Sequence, residues 1–214
     1  MKSFRRGHPS IGFIGVVGGQ ALLIISPTFN AAEYEMKKLI RFAEAGNDVF
    51  VSTASLASSV TDVLNCSAIN TDMAGAFGWV EQRRDSLTVS LREPYFSRTG
   101  NYQYPGRRLD GYFYNLDTTI TSVLGSDSSG NPNFVHFRSG KGNMYFHLAP
   151  MTFTNYFLLR DSNLHYFADM LSVIPPTTRS VVWDEYFLQK KENADRNSSQ
   201  SNWLSSLFVY PSLK

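Results

Sequence analysis

The chain reads as an α/β fold, a three-layer arrangement in which helices cover both faces of a mostly parallel sheet that carries one antiparallel hairpin. Three observations predict it. The apolar run at residues 21–25 is followed by an amphipathic helical pattern and then by a second apolar run at residues 48–51. Strand, helix and strand in about 30 residues make a βαβ unit, the connection a parallel pair requires. Residues 134–137 and 143–148 flank a loop containing Gly140 and Gly142, the pattern of a hairpin. A further helical stretch at residues 162–172 leads past Pro175 and Pro176 into a last strand at residues 180–183.

Residues 1–20 read as an irregular, glycine-rich lead-in. Lys2, Arg5 and Arg6 before the apolar residues 11–17 resemble the start of a signal peptide, but Pro9 and the glycines interrupt it. The α/β domain then occupies residues 21–188. Residues 21–25 suit a strand buried on both faces, and Ser26, Pro27 and Thr28 end it. Asn30 is placed to cap a helix, with Glu33 reaching back three residues later. Met36, Leu39, Ile40 and Ala43 put one apolar stripe on the sheet, and Gly46 ends the helix in a left-handed conformation. The next strand is residues 48–51. A second helix spans residues 55–64, with Leu56, Val60, Val63 and Leu64 inward.

Leu87, Val89 and Leu91 alternate with Ser86, Thr88 and Ser90 as in a half-buried strand. Residues 92–110 look like a long loop, residues 110–124 add a strand, and residues 126–132 form a turn. In the hairpin, Met144, Phe146 and Leu148 face one side, Tyr145 and His147 the other. Residues 189–214 read as a polar linker followed by an apolar, aromatic tail. The parts sum to a flavodoxin-like or glutamine-amidotransferase-like arrangement.

Composition narrows the function. The net charge is only +2, and the pairs Arg83-Arg84, Arg107-Arg108 and Lys190-Lys191 are scattered. Each reads as solvated surface, and no nucleic-acid partner is expected. Cys66 is the only cysteine, so an intrachain disulfide and a thiolate-rich metal site are excluded. His8, His136, His147 and His165 lack metal-ligand spacing. No metal and no cofactor are expected. No run reaches the roughly 18 apolar residues of a membrane span.

Motifs for catalysis are weak. Cys66 follows a helix, whereas a nucleophile elbow follows a strand. Gly12, Gly15, Gly18 and Gly19 precede a strand, whereas the dinucleotide fingerprint follows one. Gly140-Lys141-Gly142 lacks the rest of a phosphate loop. The catalytic residues are therefore left unassigned. Asp184-Glu185 is the most suggestive acidic pair, because open α/β sheets bind ligands beyond the carboxyl ends of their strands. Ser26, Thr28 and Thr53 end the first two strands, and Asn155 can join them from the loop before the last helix. Ser26, Thr28, Thr53, Asn155, Asp184 and Glu185 form a candidate site for a small polar ligand, neutral or cationic, such as a sugar or peptide. The competing reading is that these residues only cap helices and turns.

Four segments carry a family resemblance: Leu22 to Thr28 leading into its helix, Gly142 to Pro150, Phe153 to Leu159, and Trp183 to Tyr186. Over about residues 20–190 the chain resembles domain-of-unknown-function family 4350, an uncharacterised bacterial family of the Bacteroidetes type. The resemblance implies a glutamine-amidotransferase-like fold without the catalytic triad. It also implies membrane association, with the domain outside the cytoplasm between membrane segments. The tail, with Trp203, Leu207, Phe208 and Tyr210, resembles the interfacial lead-in to a membrane helix.

Three functions follow as expectations. The first is a non-catalytic ligand- or protein-binding module of a bacterial envelope system. The second is a hydrolase or transferase using Asp184 and Glu185 with a histidine. The third is a structural subunit of a membrane complex, with the tail contacting the membrane or a membrane protein.

Overall fold

A computed structural model describes residues 3–7, 18–71, 86–105 and 111–190. The strands are β1 (Ser3–Gly7), β2 (Gln20–Phe29), β3 (Asp48–Leu56), β4 (Ser67–Ile69), β5 (Ser86–Leu91), β6 (Asn101–Pro105), β7 (Tyr112–Tyr114), β8 (Thr121–Asp127), β9 (Pro132–Ser139), β10 (Gly142–His147) and β11 (Ser180–Asp184). The helices are α1 (Glu33–Glu44), α2 (Ser58–Leu64), α3 (Asn155–Leu158), α4 (Asn163–Leu171) and α5 (Tyr186–Gln189), with a 3-10 turn at Pro150–Phe153.

Nine strands form one sheet in the order β1-β11-β2-β3-β10-β9-β8-β5-β6. From β1 to β10 every neighbouring pair is parallel, and from β10 to β6 every pair is antiparallel. The expected hairpin is present as β9–β10, and the antiparallel part continues beyond it into β8, β5 and β6. β4 and β7 form a small separate sheet.

The sheet is buried on both faces because its strands are apolar on both. Leu22, Ile24, Val49, Val51, Met144 and Phe146 point to one face, where Met36, Leu39 and Ala43 of α1, Val60 of α2 and Phe187 of α5 cover them. Leu23, Ile25, Phe50 and Tyr145 point to the other, where Phe157 of α3 and Tyr166 and Met170 of α4 cover them. Each fully buried large apolar side chain contributes about 1.5–3 kcal/mol. The first face is called face one below and the second face two. Met144 and Phe146 on face one and Tyr145 on face two follow the alternation expected from the sequence.

Four differences from the sequence reading have physical causes. β2 runs on through Pro27 to Phe29. β11 ends opposite Ile24, so beyond that point β2 has only β3 beside it, and a proline needs no donor on the unpaired side. The start of α1 moves accordingly: the Glu35 carboxylate, not that of Glu33, accepts from the Ala32 N–H at 2.7 Å, and Asn30 lies outside the helix. Ser3–Gly7 of the expected lead-in forms β1, and Asn101–Pro105 of the expected loop forms β6. Both are edge strands of the sheet. Residues 191–214, including the tail residues, lie outside the described residues, as do most of the other lead-in residues.

Candidate functional site

The carboxyl ends of β11, β2, β3 and β10 lie along one edge of the parallel half of the sheet. Ser26 and Thr53 are register partners, and Asp184 pairs with Ile24. Alternation therefore puts Ser26, Thr53 and Asp184 on face one together. Asn155 opens α3, which covers face two, and its side chain is exposed.

The three residues on face one are buried, each at most 1% exposed. Ser26 Oγ donates to the Thr28 carbonyl at 2.6 Å, so Thr28 takes part through its backbone. Thr53 Oγ1 lies 3.1 Å from the Pro27 carbonyl and 3.0 Å from that of Ser55, tying the ends of β2 and β3 together. Asp184 Oδ1 accepts from the Tyr186 N–H at 2.8 Å and so starts α5. Glu185 is half-buried, and its carbonyl accepts from the Gln189 N–H. These hydroxyls and the Asp184 carboxylate shape the edge by closing its turns.

Two side-chain networks that the sequence does not announce flank this edge. On face two, Ser52 Oγ is 3.0 Å from His147 Nδ1, and His147 Nε2 is 3.0 Å from Tyr166 Oη. Ser52, His147 and Tyr166 are all 0% exposed. Phe134 and Phe153 stand edge-on to the imidazole. Burial holds the His147 imidazole neutral, with its pKa pushed down to about 3, and pushes the Tyr166 phenol far up. The group is chemically a serine–histidine pair, but no reacting molecule reaches it.

On face one, the N-terminus of α1 meets α5. The Glu35 carboxylate is 2% exposed. It accepts from Lys190 Nζ at 2.5 Å, from Tyr186 Oη at 2.7 Å and, more weakly, from Tyr34 Oη at 3.3 Å, besides the Ala32 N–H. Lys190 Nζ also donates to the Asn30 carbonyl at 2.9 Å and sits 5.9 and 5.7 Å from the ring centroids of Tyr186 and Phe187. Burial alone raises the Glu35 pKa, but the Lys190 ammonium and the Ala32 and Tyr186 donors outweigh it and hold the carboxyl below its usual value. The same hydrogen bond pushes the Tyr186 phenol up to about 12. Lys190, expected as solvated surface, is thus the partly exposed partner of a buried carboxylate. Its partner is 155 positions away, so no local pattern signals it.

Cys66 lines an open depression of about 650 Å³ together with Thr61, Asp62, Asn65, Ser67 and Asn115–Asp117. Burial pushes its thiol up to about 11, so it is protonated and a poor nucleophile at neutral pH. Among the described residues no three His, Cys, Asp or Glu side chains come together as a metal site.

The chain belongs to the family described as Domain of unknown function (DUF4350), whose model matches residues 13–171. Among solved structures, the N-terminal domain of mmIFT52 is 10% identical with a TM-score of 0.52, covering 72% of this chain and 76% of that one. The beta-galactosidase from Bacillus circulans sp. alkalophilus is 12% identical with a TM-score of 0.43, covering 60% and 20%. The cold-adapted beta-galactosidase from Rahnella sp. R3 is 13% identical with a TM-score of 0.42, covering 61% and 20%. The chain thus spans about a fifth of the length of these galactosidases. At such identities the likeness is one of fold alone, and the mmIFT52 domain is the one of the three above a TM-score of 0.5. No curated protein matches the chain.

Proposed function

We propose that this member of the DUF4350 family is a non-catalytic binding module of a bacterial envelope system. On this reading it is built on a glutamine-amidotransferase-like fold without a triad, and it takes a polar ligand or a protein at the carboxyl edge of its sheet. One observation carries the reading: among the described residues, the serine–histidine pair beside that edge is sealed from solvent. Ser52 and His147, on face two, are 0% exposed, and the Cys66 thiol, packed against the core of face one, is held protonated. The hydrolase or transferase alternative needs a histidine beside Asp184 and Glu185. Among the described histidines, His147 and His136 lie on face two, bonded to Tyr166 and Asn143, and His165 is carried by α4, whereas Asp184 faces the α1 side of the sheet; His8 lies outside the described residues.

The family resemblance and the aromatic composition of residues 203–210 support attachment to a membrane or membrane protein. No helix among the described residues is long and apolar enough to cross a membrane. On this reading the described domain is the ligand-facing part and the tail the attachment.

Chemical labelling tests the non-catalytic reading. Treated at neutral pH with a fluorophosphonate and, separately, with iodoacetamide, the folded chain is expected to gain no phosphonyl group and to alkylate only slowly at Cys66. A stoichiometric phosphonyl adduct on Ser52, or alkylation of Cys66 faster than that of a free thiol, reverses the assignment in favour of an enzyme.

A further inference from the structure

The geometry points to a recognition site for a primary alkylammonium group, of a small amine or a peptide lysine, formed by Glu35, Asn30, Tyr186 and Phe187 and filled here by the chain's own Lys190. This rests on the reading of the carboxyl edge as the binding edge and names the ligand chemistry of that edge.

The site has the parts such a ligand needs. Glu35 supplies a carboxylate only 2% exposed. Three donors other than Lys190 hold it in place: the Ala32 N–H, Tyr186 Oη and Tyr34 Oη. The carboxyl group is therefore positioned whether or not Lys190 is there. The Asn30 carbonyl accepts a second ammonium hydrogen at 2.9 Å. The Tyr186 and Phe187 rings, at 5.9 and 5.7 Å, offer their negative faces to the cation. The Asn30 side-chain oxygen is also buried and takes no hydrogen bond among the described residues. Buried Glu35 repels phosphates and carboxylates. A quaternary ammonium has no N–H for the Asn30 carbonyl, so the site selects for –NH3+.

Lys190 is placed to leave. It follows α5, a helix of one turn. That turn is anchored by Phe187, 2% exposed and 4.6 Å from the Phe29 ring. The Lys190 side chain keeps 23% of its exposure. Rotation about its own side-chain bonds withdraws the ammonium while Phe187 stays seated. A buried carboxylate left without its cation is costly, so an incoming ammonium is favoured over an empty site. Lys190 is then a tethered competitor, and a ligand displaces it group for group.

Lys190→Met keeps the aliphatic stem and removes the charge. In thermal melts this variant is expected to lose several degrees and to regain at least half of the loss, saturably, with n-butylammonium. A lysine-containing peptide should do the same at lower concentration if the natural ligand is a protein, and butylammonium alone should suffice if it is a small amine. Tetramethylammonium at equal ionic strength should do nothing, and Glu35→Gln/Lys190→Met should not respond to any of them. A folded Lys190→Met protein indifferent to butylammonium overturns the inference, as does an equal response in the double variant. Should Lys190→Met not fold, Lys190→Gln carries the same titration. Labelling of Ser52 would sink the non-catalytic reading without touching this titration, so the two fail separately.

Discussion

Gly142→Ala is expected to abolish folding. Gly142 opens β10 where three elements converge. A Cβ there would lie 2.0 Å from the Asn47 carbonyl oxygen, 2.3 Å from that of Ala43 and 2.9 Å from the Asn47 nitrogen. All three are backbone atoms, and none can swing aside. Asn47 is itself fixed, because its side chain accepts from the Gln20 N–H and donates to the Phe42 carbonyl, each at 2.9 Å. The methyl group would force β10 away from β3, at the centre of the sheet. Expression should give insoluble protein or a chain with no cooperative melt. Gly130→Ala is the contrast: its Cβ meets nothing within 4 Å, and only its φ of +81° is against it. That change should cost about 1 kcal/mol. A Gly142→Ala protein melting within a few degrees of the parent would contradict the packing described.

The second large effect is loss of stability in mild acid, centred on His147. Its ring nitrogens are bonded to Ser52 and Tyr166. Burial lowers its folded pKa to about 3, against about 6.5 in an unfolded chain. The unfolded chain therefore binds this proton first, and stability is complete above about pH 6.5 and falls towards pH 3. The slope approaches about 1.4 kcal/mol per pH unit, so about 2 kcal/mol should be gone by pH 5. His136, lowered by burial and partly offset by Asn143 and Asp48, acts in the same direction. Glu35, whose pKa is lowered, also loses stability as pH falls, but below the usual carboxylate range. Asp48, raised by burial, acts in the opposite direction, and does so above its usual value. Urea unfolding at pH 7 and pH 5 measures the loss, and ring carbon–proton NMR should find His147 still neutral at pH 5. Equal stability at the two pH values, or a His147 ring that titrates near 6.5, would contradict its sealed environment.

The central parallel strands were legible because residues buried on both faces must be apolar on both, and residues 21–25 and 48–51 are. The edge strands were not. Ser3–Gly7 and Asn101–Pro105 stand at the two ends of the sheet, where a strand needs no continuous apolar run. The helix pattern of α1 predicted its inward stripe, since Met36, Leu39 and Ala43 are all 0% exposed. Its first turn was misplaced because Pro27 reads as a strand end, whereas unpaired β2 tolerates it.

The site was legible only as an edge. Strand ends rich in Ser, Thr and Asp mark where chain segments turn, and Ser26, Thr53 and Asp184 lie on one face of the sheet. Their hydrogen bonds to the turns themselves are a tertiary outcome. Glu35 lies in a charged first turn beside Glu33, and Lys190 heads a polar stretch. Only the fold brings them together and removes water from between them.

The most direct test of the account is where an amine binds. In a 15N-labelled Lys190→Met chain titrated with n-butylammonium, the shifted backbone amides should be confined to the ends of β2, β3 and β11, the start of α1 and α5. The shifts should saturate together. Shifts clustered instead at the depression lined by Thr61, Asp62, Asn65 and Cys66, or spread without saturation, would contradict the carboxyl edge as the binding edge.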